Sequence, residues 1–281
     1  MKHLKKIETL YRFDFASIEY PAVLLVGDDL MYLPFYEGYP EDDVPLYFTA
    51  GIDMTVTFSS ACQYSLDNET WVDLAANTKT PTVSPGSKIY FRASGLAPNG
   101  YSGIGTFAPS VACSVGGNIL SMKNGADYKD AATSFNNYQF ASLFRSAKVT
   151  DASRLYLPPS VGAYMYGTTF KGSSLIVGPK MPALTLASSC YIQMYEDCKS
   201  LQLVAPLPAP QLVSYCYQSM YSGCNKLSVI RANFLTTPST SYTSSWVKNV
   251  ASQGVFYKNP EATWDLSGTS GVPAGWVVKT M

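Results

Sequence analysis

Two stretches of this chain can be laid one beneath the other. Cys190-Tyr191-Ile192-Gln193-Met194-Tyr195-Glu196-Asp197-Cys198-Lys199-Ser200-Leu201 returns 26 residues later as Cys216-Tyr217-Gln218-Ser219-Met220-Tyr221-Ser222-Gly223-Cys224-Asn225-Lys226-Leu227, with both Cys, both Tyr, Met and Leu unchanged. A further step of 26 residues back gives Tyr164, Thr168, Thr169, Gly172, Leu175 and Val177, and one more gives Tyr138, Ser142, Leu143, Ser146 and Val149. A unit this short cannot bury an apolar face alone, so copies have to stack and share a core. Cys190, Met194, Cys198 and Leu201 fall at i, i+4, i+8 and i+11, which reads as one stripe of a short helix, and Leu201-Gln202-Leu203 then alternates as a short strand. The predicted repeat core is Leu175, Cys190, Met194, Cys198, Leu201, Cys216, Met220, Cys224 and Leu227. Tyr191 and Tyr217 lie beside that stripe, and are predicted to face outward as a ladder that contacts a sugar or a protein.

The first half of the chain is organised differently. Apolar runs Ala22–Val26 and Leu30–Phe35 flank Gly27-Asp28-Asp29, a hairpin signature. Residues 38–45, with a proline near each end and three acids between, read as a linker. Beyond it, Met54, Val56 and Phe58 alternate, Asp67-Asn68-Glu69 and Pro85-Gly86 mark turns, and short strands recur about every ten residues, the spacing of a small sandwich. The expected fold is therefore mixed and β-rich. It has an N-terminal β hairpin (residues 1–46), a small β-sandwich of the immunoglobulin-like kind (47–122) and a C-terminal leucine-rich-repeat (α/β) solenoid (123–281), a type whose period matches the one seen here.

Chemistry is sparse. The single histidine is His3, which removes Ser-His-Asp, Cys-His and His-based zinc systems together. Cys190, Cys198, Cys216 and Cys224 are spaced C-x₇-C rather than C-x₂₋₄-C, so a buried thiol ladder is the better reading than a zinc site. The glycines of Asn99–Gly105 lack the flanking strand and helix of a dinucleotide site. The acid pairs Asp28/Asp29, Asp42/Asp43 and Glu196/Asp197 fall in expected turns or linkers, where carboxylates are solvated rather than catalytic. No catalytic residue, metal or cofactor is predicted. Twenty basic and twenty acidic residues leave zero net charge, so neither nucleic acid nor a membrane is an expected partner. The basic start Met1-Lys2-His3-Leu4-Lys5-Lys6 is not followed by the apolar stretch of an export signal, and no run approaches a membrane span, so folding in the cytoplasm of the producing cell is expected.

The phrases Met194-Tyr195-Glu196-Asp197-Cys198-Lys199-Ser200-Leu201 and Met220-Tyr221-Ser222-Gly223-Cys224-Asn225-Lys226-Leu227 resemble the BspA-like leucine-rich repeats of surface proteins from Bacteroides-type gut bacteria, and Gly271-Val272-Pro273-Ala274-Gly275-Trp276-Val277-Val278 is similar to the closing element of such arrays. A recognition array of this kind without an export signal suits a bacteriophage, and the opening segments look like N-terminal modules of virion proteins from phages of those bacteria. The resemblance thus implies a non-enzymatic virion structural or adhesion protein (tail fibre, head fibre or head decoration) made in the host cytoplasm. Its N-terminal segment would hold other virion proteins, and its array would meet a host surface protein or glycan. Anchoring of this kind implies a homo-oligomer, with a trimer favoured. The alternatives are a bacterial cell-surface adhesin and a depolymerase that uses the array for targeting.

Overall fold

The computed structural model describes strands 23–26 and 29–32, residues 40–130 and residues 134–281. The chain divides into two units, Met1–Glu37 and Gly38–Met281. In the first, β1 (Val23–Val26) pairs antiparallel with β2 (Asp29–Tyr32), Val26 standing opposite Asp29. Phe13, Phe15 and the end of the apolar run at Phe35 lie outside the described residues.

The second unit opens with β3 (Leu46–Thr49), β4 (Val56–Phe58), β5 (Cys62–Ser65), β6 (Val72–Leu74), β7 (Lys88–Arg92), β8 (Phe107–Pro109), β9 (Cys113–Asn118) and β10 (Val149–Tyr156). Six of these form one sheet in the order β10-β9-β3-β7-β5-β6, and β4 pairs separately with β8. Period-2 alternation decides which side chains go inward. Val56 and Phe58 are buried with Thr57 between them, as are Ile89 and Phe91 around Tyr90. Phe107 of β8 lies 5.1 Å from Phe48 and 5.0 Å from Phe91 of the sheet and stacks on Phe58 at 4.3 Å. The Asp67 turn is closed by its own carboxylate, whose Oδ1 accepts from the Glu69 and Thr70 amides at 2.8 and 2.7 Å.

The sheet does not stop at the boundary expected between residues 122 and 123. Its outermost strand, β10, comes from beyond that point and pairs parallel with β9. Phe144 also packs on Phe48 and Phe107 at 6.1 and 6.0 Å, so a single core runs through both regions.

From residue 138 onward the expected α/β leucine-rich-repeat solenoid is not found. The only α-helices among the described residues are two of four residues, Ser121–Asn124 and Thr240–Thr243, and the stretches read as repeat helices are successive turns. The physical reason is a period of four. Every fourth residue in them is left-handed: Ser142 and Ser146, then Tyr164 and Thr168, then Ser189, Gln193 and Asp197, then Tyr215 and Ser219, all at φ between 52° and 60°. An α-helix tolerates no such residue. Between the left-handed positions, amides bond alternately near and far. Ala141, Leu143 and Arg145 donate three residues back, to Tyr138, Phe140 and Ser142. Phe140, Ser142 and Phe144 instead donate outward, to Met165, Gly167 and Thr169 of the next turn layer at 2.9, 3.0 and 2.8 Å. The same pattern links Tyr166, Thr168 and Phe170 to Cys190, Ile192 and Met194, and Tyr191, Gln193 and Tyr195 to Cys216, Gln218 and Met220. Backbone groups are thereby satisfied without helix or regular sheet.

The stack closes on a three-stranded parallel sheet, β11 (Val229–Ala232), β12 (Val255–Lys258) and β13 (Val277–Thr280). Indole N–H groups tie this end together. Trp246 Nε1 donates to the Gly271 carbonyl at 2.8 Å, Trp264 Nε1 to Phe234 at 3.1 Å and Trp276 Nε1 to Ala251 at 2.7 Å.

Candidate functional site

All nine residues named as repeat core are fully buried. Tyr191 and Tyr217 do form a ladder, but it points inward: each is 1% exposed, which overturns the expectation that they face solvent. Two columns of rings run through the turn layers. One is Phe140, Tyr166, Tyr191 and Tyr217, with centroids 5.9, 5.6 and 5.9 Å apart, and the other is Phe144, Phe170, Tyr195 and Tyr221, at 5.1, 5.8 and 5.7 Å. Both end on Trp246, 6.3 Å from Tyr217 and 6.0 Å from Tyr221. Each stacked pair adds roughly 0.5–1.5 kcal/mol beyond the area buried.

Tyr166, Tyr191 and Tyr221 bury hydroxyls that have no hydrogen-bond partner. Burial pushes all three phenols far above their ordinary pKa, so they stay neutral. A buried unpaired hydroxyl costs about 1–3 kcal/mol, comparable to what the stacking returns. The equivalent positions Phe140, Phe144 and Phe170 avoid that cost. Tyr191→Phe is therefore expected to raise the urea midpoint, with a gain of about 1 kcal/mol. A fall in the midpoint would show that the phenol has a partner after all.

The four repeat thiols are buried side chains of this core. Cys198 Sγ donates to the Phe170 carbonyl at 2.9 Å and Cys224 Sγ to the Tyr195 carbonyl at 3.0 Å. Burial pushes Cys198 and Cys216 up to about 11, which disfavours the thiolate a metal or an electrophile would need. Among the described residues no three His, Cys, Asp or Glu side chains converge on one point. Glu196 is held by Lys171 and by Gln193 Nε2, and Asp67 by its turn, so neither is free for chemistry. Asp42 and Asp43, expected in a linker, are exposed residues at a bend and stand at a cleft of about 360 Å³ with Tyr128, Phe135 and Tyr156. The side chains of Asp28 and Asp29 lie outside the described residues.

The outward-facing tyrosines are different ones. Tyr138 and Tyr164 stack at 4.5 Å with planes 18° apart, and Tyr101 meets both edge-on at 5.1 and 5.8 Å. Tyr101 is 42% exposed, and the other two are half-buried. Tyr138 and Tyr164 occupy the first left-handed position of their turn layers, where the next layers carry Ser189 and Tyr215. They sit two residues before the inward rings Phe140 and Tyr166, hence on the opposite side of the chain. A fixed step of 26 residues aligns Tyr164 with Cys190, but the register is uneven. The Ser142–Thr168 hydroxyl pair spans 26 residues and the Ser173–Cys198 pair 25. That missing residue hides the equivalence of Tyr164 with Ser189.

No protein family, no characterised protein and no solved structure matches this chain. No helix among the described residues is long and apolar enough to cross a membrane.

Proposed function

We propose that this chain is a non-enzymatic structural or adhesion protein of a phage particle, which holds a binding surface on a rigid support. The observation that carries the binding half of this reading is the Tyr101–Tyr138–Tyr164 cluster, in which an exposed loop tyrosine packs against two half-buried tyrosines of the stacked turns. Rigid aromatic contacts lose little entropy on binding, which is why tyrosine is common at recognition surfaces. Balanced charge suits a protein whose neighbours are other proteins or neutral glycans, not nucleic acid. The particle setting comes from the repeat phrases of the sequence, and the N-terminal segment is the part proposed to hold other virion proteins in a homo-oligomer. Immunogold labelling of purified particles tests this. Gold at a defined position on head or tail is the expected result, and bare particles beside labelled bacterial envelopes would replace the phage setting with a cell-surface adhesin.

A further inference from the structure

The glycine-containing loop that made no nucleotide site has a different use. Its tip is the 3-10 turn Gly100–Ser102, closed by Gly103, whose φ is 54°. A Cβ at Gly103 would stand 2.2 Å from the Ala141 carbonyl oxygen, so glycine is what allows the loop to lie directly on the first turn layer. Ser142 Oγ then donates to the Tyr101 carbonyl at 2.6 Å and lies 2.8 Å from Thr168 Oγ1 of the next layer. One glycine and one serine thus bring the ring of a loop residue beside two rings of the stack.

Among the described residues, the three rings stand apart from the inward columns and from the cation-covered rings of Tyr47 and Trp71. The inward columns are filled by the core, and Lys88 and Arg92 lie over the buried ring of Tyr47 and the half-buried ring of Trp71 at 3.9 and 4.1 Å. Among the described residues no cation lies over Tyr101, Tyr138 or Tyr164. Burial raises the pKa of the Tyr101 and Tyr138 phenols, and the neighbouring tyrosines raise it further, so the rings stay neutral. Nor does folding need the two large rings there, since Ser189 takes the same backbone position in the following layer.

We propose that Tyr101, Tyr138 and Tyr164 form a stacking platform for a neutral saccharide. The proposal rests on the binding reading above and gives its ligand a class. The electron-rich ring faces suit the polarised C–H face of a pyranose, and the phenol hydroxyls at the rim suit its hydroxyl groups. Among the described residues no cation lies over these rings to favour a phosphate or a uronate. A protein partner would need a contact far wider than three rings, about 800 Å² on each side.

The test uses the full chain on an array of immobilised hexasaccharides of glucose, mannose, galactose and N-acetylglucosamine, with uronate-containing hexamers alongside, followed by calorimetry with the strongest hit. Binding of at least one neutral hexamer is expected. The double variant Tyr138→Ser/Tyr164→Ser should weaken it about tenfold or more while the chain stays folded, its melting temperature lowered by only the few degrees that the lost stacking costs. Tyr101→Ala, on an exposed residue, should weaken it too and keeps the test open if the double variant folds poorly. The proposal is overturned if no neutral hexamer binds the parent chain, if only uronate hexamers bind, or if both variants bind as the parent does. A labelled particle whose protein ignores every glycan would remove the saccharide alone. A glycan-binding chain missing from particles would remove the phage setting alone.

Discussion

Trp246→Ala lowers the stability of the Gly38–Met281 unit by about 3–5 kcal/mol, the range for emptying a large aromatic site in a core. The residue is completely buried and ends both ring columns, and it also touches Phe234 at 5.8 Å and Phe256 at 6.1 Å. Its removal takes away four ring contacts at one point and leaves the Gly271 carbonyl without its indole donor. The loss is comparable with the whole stability of many domains. Unfolding by urea measures it, and amide exchange locates it: β11, β12 and β13 should lose protection before the six-stranded sheet does. Trp246→Phe keeps the rings in contact and should fall between parent and alanine variant. A loss below about 1 kcal/mol for the alanine variant would mean that the columns do not depend on their terminal ring.

Gly117→Ala is the second large effect. Gly117 lies in β9, the strand through which β3 and β10 are joined, and its φ is 80°. An added Cβ would be 2.0 Å from the Pro45 carbonyl oxygen and 2.7 Å from its carbon. These are backbone atoms, so no rotamer change relieves the clash, and the sheet has to open. The expected cost is about 3 kcal/mol or more, because overpacking and a strained φ add together. Gly51→Ala is the control, since nothing lies within 4 Å of a Cβ there. Equal midpoints for the two variants would show that the Pro45 segment moves aside freely.

The repeat was legible in the sequence because Cys, Tyr, Met and Leu recur at fixed places, and these are the residues the core selects for. The conformation of the repeat was not. A stripe at i, i+4 and i+8 fits a helix of 3.6 residues per turn almost as well as a chain of turns with a period of four, and Met194 and Cys198 are buried under either. What separates the two is the left-handed residue at every fourth position. Glycine would have betrayed it, but here the positions hold Ser189, Gln193 and Asp197, which side-chain chemistry alone does not mark. The candidate site failed for a related reason. Aligning on the Cys-Tyr pair selected Tyr191 and Tyr217, the conspicuous tyrosines. The outward ones stand two residues earlier, in Tyr138-Gln139-Phe140, Tyr164-Met165-Tyr166 and Tyr215-Cys216-Tyr217. That aromatic-x-aromatic phrase was the available signal. The parallel pairing of β9 with β10 left no local mark, since it joins segments separated by about thirty residues.

The two ring columns also have an optical consequence. Neighbouring phenols held face to face at 5.6–5.9 Å pass electronic excitation from one to the next, and each column delivers it to Trp246, whose indole absorbs at lower energy and acts as the sink. The five tyrosines of the columns therefore add little emission of their own while the chain is folded. Its tyrosine emission returns as the layers part, a built-in optical record of whether the stack is intact.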